Sequence, residues 1–373
     1  MAFQEDPRLM ESKAIPMKEV VDRLGIMGLR ATGQELIGPC PCCGGRDRFG
    51  VNIQSNAFLC RKCEITGGDQ IALVMSVLNV DFKAALQWLC GDAPAQIDPE
   101  EMKRRKEKAA AAERKQQREQ ARYRKWAMDA ALGIWKQGRW GGLGVVPAYL
   151  RARGILPDAL VEGIPDALRF IVDHPYVKKI DGKNETVHRG PCMIAGVLCP
   201  RGELTAVHQT WVDTKPPHGK AKIIWKGEDM PAKLVRGSKK AGAIRLFTPE
   251  NADTLVMGEG IETTLSALVA NPLPDAAYWA GVDLGNMSGR MQKVKGKRHS
   301  GLPDMTDTDA FVPPPWVKKL IFIMDGDSAP EMTHAKLLSG LRRAMAVRAG
   351  LETEIVQAGP GVDLNDVLIG ESA

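Results

Sequence analysis

Five of the eight cysteines lie between positions 40 and 63, and their spacing is typical of a metal site. Two Cys-x-x-Cys pairs, separated by 16 residues, comprise Cys40, Cys43, Cys60 and Cys63. Four thiolates from two such turns suit tetrahedral Zn²⁺ and leave no coordination position open for catalysis. The sequence therefore predicts a structural zinc ribbon. Cys42 lies inside the first pair and could replace a neighbour, although the spacing favours Cys40 and Cys43.

Basic and aromatic side chains are interleaved between the two cysteine pairs. Arg46 and Arg48 could follow the backbone of a single nucleic-acid strand while Phe49 and Phe58 stack on its bases. The alternative is that Phe49, Phe58 and Val51 fill the small core of the ribbon and that the arginines only face solvent. The sequence leaves both alternatives open, and we predict that Arg46 and Arg48 contact nucleic acid.

Three carboxylates follow two apolar runs in the last third of the chain. Glu259 follows the run 254–257, and Asp325 and Asp327 follow the run 320–324. Ligands of open parallel sheets bind beyond the carboxyl ends of the strands, so these acids converge if the two strands are neighbours. Clustered carboxylates need cations to neutralise them, which predicts Mg²⁺. The alternative for Asp325 and Asp327 is an ordinary Asp-Gly-Asp surface turn.

The elements that position these acids alternate between strand and helix. We predict strands at 254–257, 276–279, 320–324 and 353–356, and helices at 261–270 and 333–349. This alternation predicts a parallel sheet with helices packed on it, interrupted by a long loop at 287–315. In the first turn of the helix 261–270, Glu262 is placed to favour the helix dipole.

The rest of the chain reads as three further regions. Short helices at 17–24, 68–79 and 81–90 surround the cysteines, Asp98-Pro99 starts a helix poor in apolar residues, and 190–250 contains short strands. We therefore expect an α/β protein with an N-terminal zinc ribbon, a basic helical linker, a mixed α+β subdomain and a parallel sheet flanked by helices. The predicted boundaries are 1–95, 96–125, 126–250 and 251–373.

The positive charge of the chain is concentrated in the predicted linker. The formal net charge is +6, but residues 103–125 contain 11 basic and three acidic side chains, so the remainder carries about −2. A uniformly basic coat is therefore excluded. The tract could attract nucleic-acid phosphates, or it could be a solvated helix.

We predict neither a membrane-spanning nor a secreted protein. The longest mostly apolar run, 71–80, is far shorter than the roughly 20 residues that a membrane helix needs, and no apolar segment lies near the amino terminus. The expected location is the cytoplasm of a bacterium or of a host cell.

The two motifs together resemble bacterial and phage DNA primases of the DnaG type. Cys-Pro-x-Cys, Cys-x-x-Cys and the Gly-Gly-Asp at 67–69 resemble the primase zinc-binding domain, although Cys43 stands where many primases have His. Glu259 with Asp325-x-Asp327 resembles the Toprim fold of primases, topoisomerases and some nucleases. The resemblance covers about 40–95 and 190–370, and the order of its parts is that of a primase.

The resemblance implies synthesis of short RNA primers on single-stranded DNA from nucleoside triphosphates. By it, 126–250 begins the polymerase core and 251–373 is a Toprim catalytic domain. Mg²⁺ would bind at Asp325 and Asp327, and Glu259 would be a further ligand or a proton acceptor. A basic ridge would grip triphosphate or template; it comprises Lys233, Arg236, Lys239 and Lys240. Because no GxxxxGK[ST] motif is present, a separate helicase is the expected partner.

Three other functions remain as alternatives. A Toprim nuclease would use the same carboxylates. A topoisomerase-like enzyme would need a nucleophilic tyrosine, and none of the four tyrosines lies in a suggestive setting. A non-catalytic zinc-ribbon DNA-binding replication factor would not need all of Glu259, Asp325 and Asp327. A phage or mobile-element origin fits the resemblance.

Overall fold

The computed structural model describes residues 6, 8–63, 65–92, 99–160, 162–180, 183–294, 296–324, 330–357 and 370. The chain divides into two compact units. The first comprises Met1–Tyr123 and Val177–Val187, and the second comprises Arg124–Tyr176 and His188–Ala373. Our finer domain boundaries stay predictions.

The first unit has a five-stranded antiparallel sheet between pairs of short helices. The helices before it are α1, Arg8–Ala14, and α2, Met17–Arg23. The strands β1–β5 are Arg30–Thr32, Glu35–Cys40, Gly44–Asn52, Phe58–Cys60 and Thr66–Gly67, paired in chain order. The helices after it, α3 and α4, are Gln70–Leu78 and Phe82–Cys90, and the side chains of Asp69 and Asp81 cap them.

The ribbon sheet buries one face against these helices. Phe49, Val51 and Phe58 are at most 2% exposed and pack in one core with Leu73 of α3 and Leu86 of α4. Residues two apart in a strand share a face, so the alternation along β3 brings these apolar residues inward together. Of the two alternatives for the aromatic residues, the structure therefore supports the second: Phe49 and Phe58 fill the core of the ribbon.

The basic tract belongs to one long helix, α5, Pro99–Gln137, of 39 residues. The helix therefore runs past the predicted end of the linker at 125, into the region predicted as the mixed α+β subdomain. Asp98, the predicted cap, lies outside the described residues. Ala127 and Ala131 are buried, whereas Trp126 is 54% exposed because it lies one residue, or about 100°, off their face.

The second unit begins with a sheet of five strands in the order β12-β9-β8-β7-β6. Helix α6, Val146–Ala152, follows β6 in the chain. The strands β6–β9 are Arg139–Trp140, Leu168–Ile180, Lys183–Leu198 and Leu204–Trp211. A separate hairpin, β10 and β11, is Ile223–Trp225 with Glu228–Met230, and β12 is Lys233–Gly237. The predicted strand character of 190–250 is confirmed.

The last sheet has the predicted parallel architecture. Its strands β13–β17 are Ile244–Phe247, Thr254–Gly258, Ala276–Ala280, Lys319–Met324 and Glu352–Gln357. Their order is β13-β15-β14-β16-β17, with the last four strands parallel and β13 antiparallel at one edge. The helices α7–α9 are Ile261–Ala270, Leu284–Ser288 and Pro330–Val347.

Helices cover both faces of this sheet. On one face Leu265 of α7 packs with Val256 and Ile321, in a core that continues into the antiparallel sheet. On the other face Phe322 packs with Leu337 and with other residues of α9 and the loop after α8. Burial on both faces explains why the three inner strands, β14, β15 and β16, are continuous apolar runs rather than alternating ones.

Among the described residues, no single helix is long and apolar enough to span a membrane. Helices α3 and α4 reach that length and apolar character only when they are taken together, and the pair is bent by 111° at the break between them.

Candidate functional site

The structure brings the four predicted zinc ligands together. Sγ atoms of Cys40, Cys43, Cys60 and Cys63 all lie within 4.8 Å of one another. The pairs Cys40–Cys63 and Cys43–Cys60 are each 3.6 Å apart, close to the about 3.8 Å that a tetrahedral site with Zn–S bonds of about 2.3 Å requires. The donor set and its geometry therefore fit zinc.

Backbone donors surround two of these sulfurs. The N–H of Cys42 points at Cys40 Sγ and that of Lys62 at Cys60 Sγ, each at 3.4 Å. Burial raises the pKa of Cys60, but the N–H groups of Cys63 and Lys62 outweigh it and lower the pKa to about 6. At Cys60 these donors stabilise the thiolate, the form that binds metal, whereas burial and then hydrogen bonds with the neighbouring cysteines raise the pKa of Cys43 to about 12.

Cys42 lies outside the cluster. Its Sγ is 3.6 Å from the carbonyl oxygen of Ser76 and the residue is exposed. The favoured pairing of Cys40 with Cys43 therefore describes the structure, and Cys42 offers a free thiol for comparison.

The face of the ribbon opposite its core carries a shallow pocket of about 250 Å³. Arg48 and Asn52 line it, because they alternate with the buried Phe49 and Val51 along β3. Leu59 of β4, 50% exposed, and Arg61 also line it. Asp47 and Glu35 add acceptors, so the pocket is mixed in charge. Arg46 is exposed and directly precedes Asp47 and Arg48 in the sequence, but it does not line the pocket.

Glu259 lies at the carboxyl end of β14, where the sequence predicted it. Gly258 precedes it at a crowded turn, since a Cβ there would lie 2.7 Å from Thr264 Oγ1. The Gly258 N–H approaches that hydroxyl at 3.2 Å and its carbonyl accepts from Gly281 N–H at 2.9 Å. Glu259 is thus held at the edge where β14 and β15 both end.

Asp325 and Asp327 lie outside the described residues. The condition for their convergence with Glu259 is nevertheless met: β14 and β16 are parallel, hydrogen-bonded neighbours, with Met257 opposite Phe322. Strand β16 ends at Met324, directly before Asp325 in the sequence.

The four residues of the predicted basic ridge lie on β12 and in the turn after it, and three of them meet carboxylates. Lys239 pairs with Asp283, which also caps α8, and Lys240 pairs with Asp309. Partial burial lowers the pKa of Lys239, and the charge of Glu259 opposes this shift, so the two side chains are near one another. Arg236 is half-buried on β12.

The third pair joins Lys233 to Glu262. Glu262 lies in the first turn of α7, as predicted, but it is only 5% exposed and its partners are side chains. Lys233 Nζ lies 3.0 Å from each carboxylate oxygen, and the Tyr149 hydroxyl donates to Oε1 at 2.5 Å. Burial disfavours the Glu262 carboxylate, but Lys233, Lys220 and Tyr149 together hold its pKa well below the usual range.

The charge around Glu262 is predominantly positive. Burial and the charge of Lys233 lower the pKa of Lys220. The pKa of His208 falls to about 4, because of burial first and then the charge of Lys233. One carboxylate therefore faces two lysines and a neutral histidine, which leaves net positive charge at this place.

Sequence reasoning missed several of these residues. Asn52, Leu59 and Arg61 could have been found from the two-residue period of the ribbon strands, which assigns them to the outer face opposite Phe49 and Val51. Tyr149, Lys220 and Asp283 come from distant segments, and no local pattern marks them.

Two family models match parts of the chain. Residues 10–105 match the CHC2 zinc finger, a DnaG zinc-ribbon model, and residues 125–246 match a domain of unknown function, DUF7146. Neither model covers half of the 373 residues. The first match confirms the resemblance to DnaG-type primases over the zinc ribbon. No curated protein matches the sequence significantly.

Solved primase structures are similar to the chain at low identity. The zinc-binding and RNA polymerase domains of the Aquifex aeolicus primase align at 14% identity and TM-score 0.36, covering 98% of this chain and 83% of that one. The primase fragment of the bacteriophage T7 primase-helicase protein aligns at 12% and 0.31, covering 90% and 94%. A DnaG primase catalytic domain bound to ssDNA aligns at 12% and 0.38, covering 68% and 79%. At such values these likenesses do not themselves establish a function.

Proposed function

We propose that this chain is a DNA primase that makes short RNA primers on single-stranded DNA by Mg²⁺-dependent nucleotidyl transfer. The observation that carries the proposal is the pairing of β14 with β16. It supports the convergence of Glu259 with the acids that follow Met324, in a chain that also has a primase-type zinc ribbon.

The metal-binding carboxylates would be Asp325 and Asp327, with Glu259 as a third ligand or as a proton acceptor. Mg²⁺ bound there would stabilise the attacking hydroxyl and the leaving pyrophosphate. Carboxylate oxygens are the ligands that Mg²⁺ prefers.

Lys233 is the member of the basic ridge that we propose for the triphosphate. Its partner Glu262 is buried and the neighbouring Lys220 adds a second positive charge, so the place attracts an anion. Lys239 and Lys240 would have to exchange Asp283 and Asp309 for phosphate, and Arg236 could contact the template.

We further propose that Cys40, Cys43, Cys60 and Cys63 bind one structural Zn²⁺. The metal would fix the knuckles that support β2–β4 and so the outer face of the ribbon. On that face the pocket beside Arg48 would accept a template base, whose edge can hydrogen-bond to Arg48 and Asn52 while its ring contacts Leu59. Arg46 would contact the adjacent phosphate.

Primer synthesis tests the proposal directly. Wild-type protein, Asp325→Ala and Glu250→Ala are incubated with single-stranded DNA, Mg²⁺ and labelled nucleoside triphosphates. Glu250 is the matched control, because it is an exposed acid shortly before the opposite end of β14. We expect short RNA products from the wild type and from Glu250→Ala, and none from Asp325→Ala, although Asp325→Ala still binds DNA.

Other outcomes would redirect the assignment. Cleavage of the DNA that depends on Asp325 would favour a Toprim nuclease. DNA binding with neither synthesis nor cleavage would favour a replication factor without catalysis. Equal activity of Asp325→Ala and wild type would reject the carboxylate site.

A further inference from the structure

The loop predicted at 287–315 contains a hairpin, described at 291–294 and 296–303 and called the 291–303 hairpin below, that the proposed catalytic site does not use. Bridges join Met291 to Pro303 and Val294 to Lys297. The N–H of Gln292 donates to the carbonyl of Leu302 at 2.8 Å, and Ser300 Oγ donates to the carbonyl of Gln292 at 2.7 Å. These bonds give this segment a defined shape, because they satisfy backbone groups within the hairpin itself.

Two arginines of α9 anchor the base of the hairpin. Arg343 is 3% exposed and donates to the carbonyls of Asp307 at 2.7 Å, Asp304 at 2.9 Å and Arg290 at 3.4 Å. Arg342 donates to the carbonyl of Gly301 at 2.8 Å. A buried guanidinium whose hydrogen bonds within the described part of the chain go to loop carbonyls is a costly anchor, and it fixes where the hairpin stands relative to the sheet and α9.

The hairpin concentrates positive charge in an otherwise acidic part of the chain. Residues 251–373 contain 16 acidic and 11 basic side chains, a net of −5. Four of these basic residues lie in 291–303, which has no acid, so the remainder carries −9. Lys293, Lys297 and Arg298 are exposed. Like charges this close repel each other, and their electrostatic free energy falls when an anion binds.

We infer that the 291–303 hairpin is a second nucleic-acid contact, which binds the sugar–phosphate backbone. A polyanion fits better than a single phosphate, because the basic residues are spread along the segment and the three that the structure describes are exposed. The hairpin lies between β15 and β16 in the chain, two strands whose carboxyl ends lie at the edge of Glu259. The inference rests on the proposed function only in the choice of nucleic acid as the polyanion.

The salt dependence of binding tests this surface without any chemistry. Affinity for single-stranded DNA and for a DNA–RNA hybrid is measured from low to moderate salt, without Mg²⁺ or nucleotide. The variant is the triple substitution Lys293→Gln, Lys297→Gln and Arg298→Gln. The matched control removes three exposed charges of the first unit, by Lys13→Gln, Lys18→Gln and Lys83→Gln.

We expect the slope of log K against log salt to become shallower by about 2 to 3 in the hairpin variant, since each lost phosphate contact removes about 0.7 to 0.9. A conservative variant, Lys293→Arg with Lys297→Arg, should keep the wild-type slope. A change with single-stranded DNA alone assigns the hairpin to the template, and a change with the hybrid alone assigns it to the product duplex.

Two results would overturn the inference. One is a salt slope of the hairpin variant that equals the wild-type slope with both nucleic acids. The other is an equal change of slope in the control variant, because the change would then follow from the net charge of the protein and not from the hairpin. Because no primer is made in this experiment, its outcome is independent of the synthesis assay. If the wild type makes no primer, but the salt slope of DNA binding is shallower in the hairpin variant, only the proposed function is rejected and the inference about the hairpin stands.

Discussion

Single side chains carry the zinc chemistry of the ribbon. At Cys60 the backbone donors stabilise a thiolate, and three further sulfurs complete a set that fits a tetrahedral ion. Replacing one of the four leaves three protein ligands, which is typical of open sites rather than structural ones.

We predict that Cys60→Ser lowers the zinc content from about one ion per chain to well below it, because a hydroxyl binds Zn²⁺ far more weakly than a thiolate. Elemental analysis of purified protein measures this directly. Cys42→Ser is the control and should retain the full zinc content, because Cys42 lies outside the cluster. Equal loss of zinc in both variants would contradict the assigned ligand set.

A second prediction at this scale concerns the contribution of the Tyr149–Glu262–Lys233 cluster to stability. Tyr149→Phe should lower the free energy of unfolding by about 1 to 3 kcal/mol, since it removes a hydrogen bond to a buried carboxylate. Chemical denaturation measures the change. Tyr176→Phe is the control: Tyr176 is also buried, its ring stacks on Trp211, and its hydroxyl meets no carboxylate among the described residues.

The same cluster predicts a pH dependence of stability. The pKa of Glu262 is lower in the folded chain than its ordinary value of 4.5, so its contribution is fully present above about pH 4.5 and is lost as the pH falls through the folded pKa. The difference in unfolding free energy between wild type and Glu262→Gln should therefore shrink on acidification from pH 7 to pH 3. A constant difference would show that the Glu262 carboxylate gains nothing from Lys233.

At the scale of elements, helix α5 has a first part rich in basic residues and a last part that packs against other residues. The described basic side chains between 103 and 125 are exposed, while Ala127 and Ala131 are buried further along the same helix. Isolated helices of polar sequence are marginal, so packing near its end supports the exposed turns.

Neutralising part of this tract should weaken nucleic-acid binding mainly at low salt. We predict that Arg104→Gln, Lys108→Gln, Arg114→Gln and Lys115→Gln together make the salt slope for single-stranded DNA shallower by up to about 3, at about 0.7 per contact. Glutamine has similar helix propensity, so circular dichroism should show an unchanged helix. An unchanged slope would mean that these residues form a solvated face only.

The anchor of the 291–303 hairpin also belongs to this scale. Arg343→Met should leave three loop carbonyls without their donor and lower the free energy of unfolding by at least about 2 kcal/mol. Trypsin should then cleave after Lys293 or Lys297 faster in the native protein. Arg342→Met, which removes a donor to one carbonyl, is the comparison and should have a smaller effect.

At the scale of the whole molecule, the hydrophobic core of the ribbon is separate from the two cores that flank the last sheet, one of which the antiparallel sheet shares. Phe49, Phe58 and Leu86 belong to one, whereas Val256 and Phe322 belong to the two that flank the last sheet. We expect a ribbon of this size to depend on a bound metal for stability, because its own apolar core is small.

Removal of zinc should therefore destabilise one part of the molecule selectively. We predict that a chelator lowers the midpoint of one calorimetric transition and shifts a second, larger one by no more than about 2 °C. Readdition of Zn²⁺ should restore the first. A single transition that moves as a whole would show that the ribbon and the second unit unfold cooperatively.

Local sequence patterns determined a large part of this structure. The Cys-x-x-Cys spacing predicted the metal cluster, because two tight turns bring four sulfurs together with little help from the rest of the chain. Continuous apolar runs predicted the buried parallel strands to within one or two residues, since strands covered on both faces need them. The position of Glu259 directly after β14 followed from such a run, and its catalytic role stays a prediction.

Tertiary structure decided what local patterns left open. It assigned Phe49 and Phe58 to the core and Arg48 to the outer face, because burial depends on which helices cover the sheet. It joined Glu262 to Tyr149, 113 residues away in sequence, and anchored the 291–303 hairpin on Arg343. Such pairings depend on which segments meet in space, and the period of a helix or strand contains no information about a partner so distant in the chain.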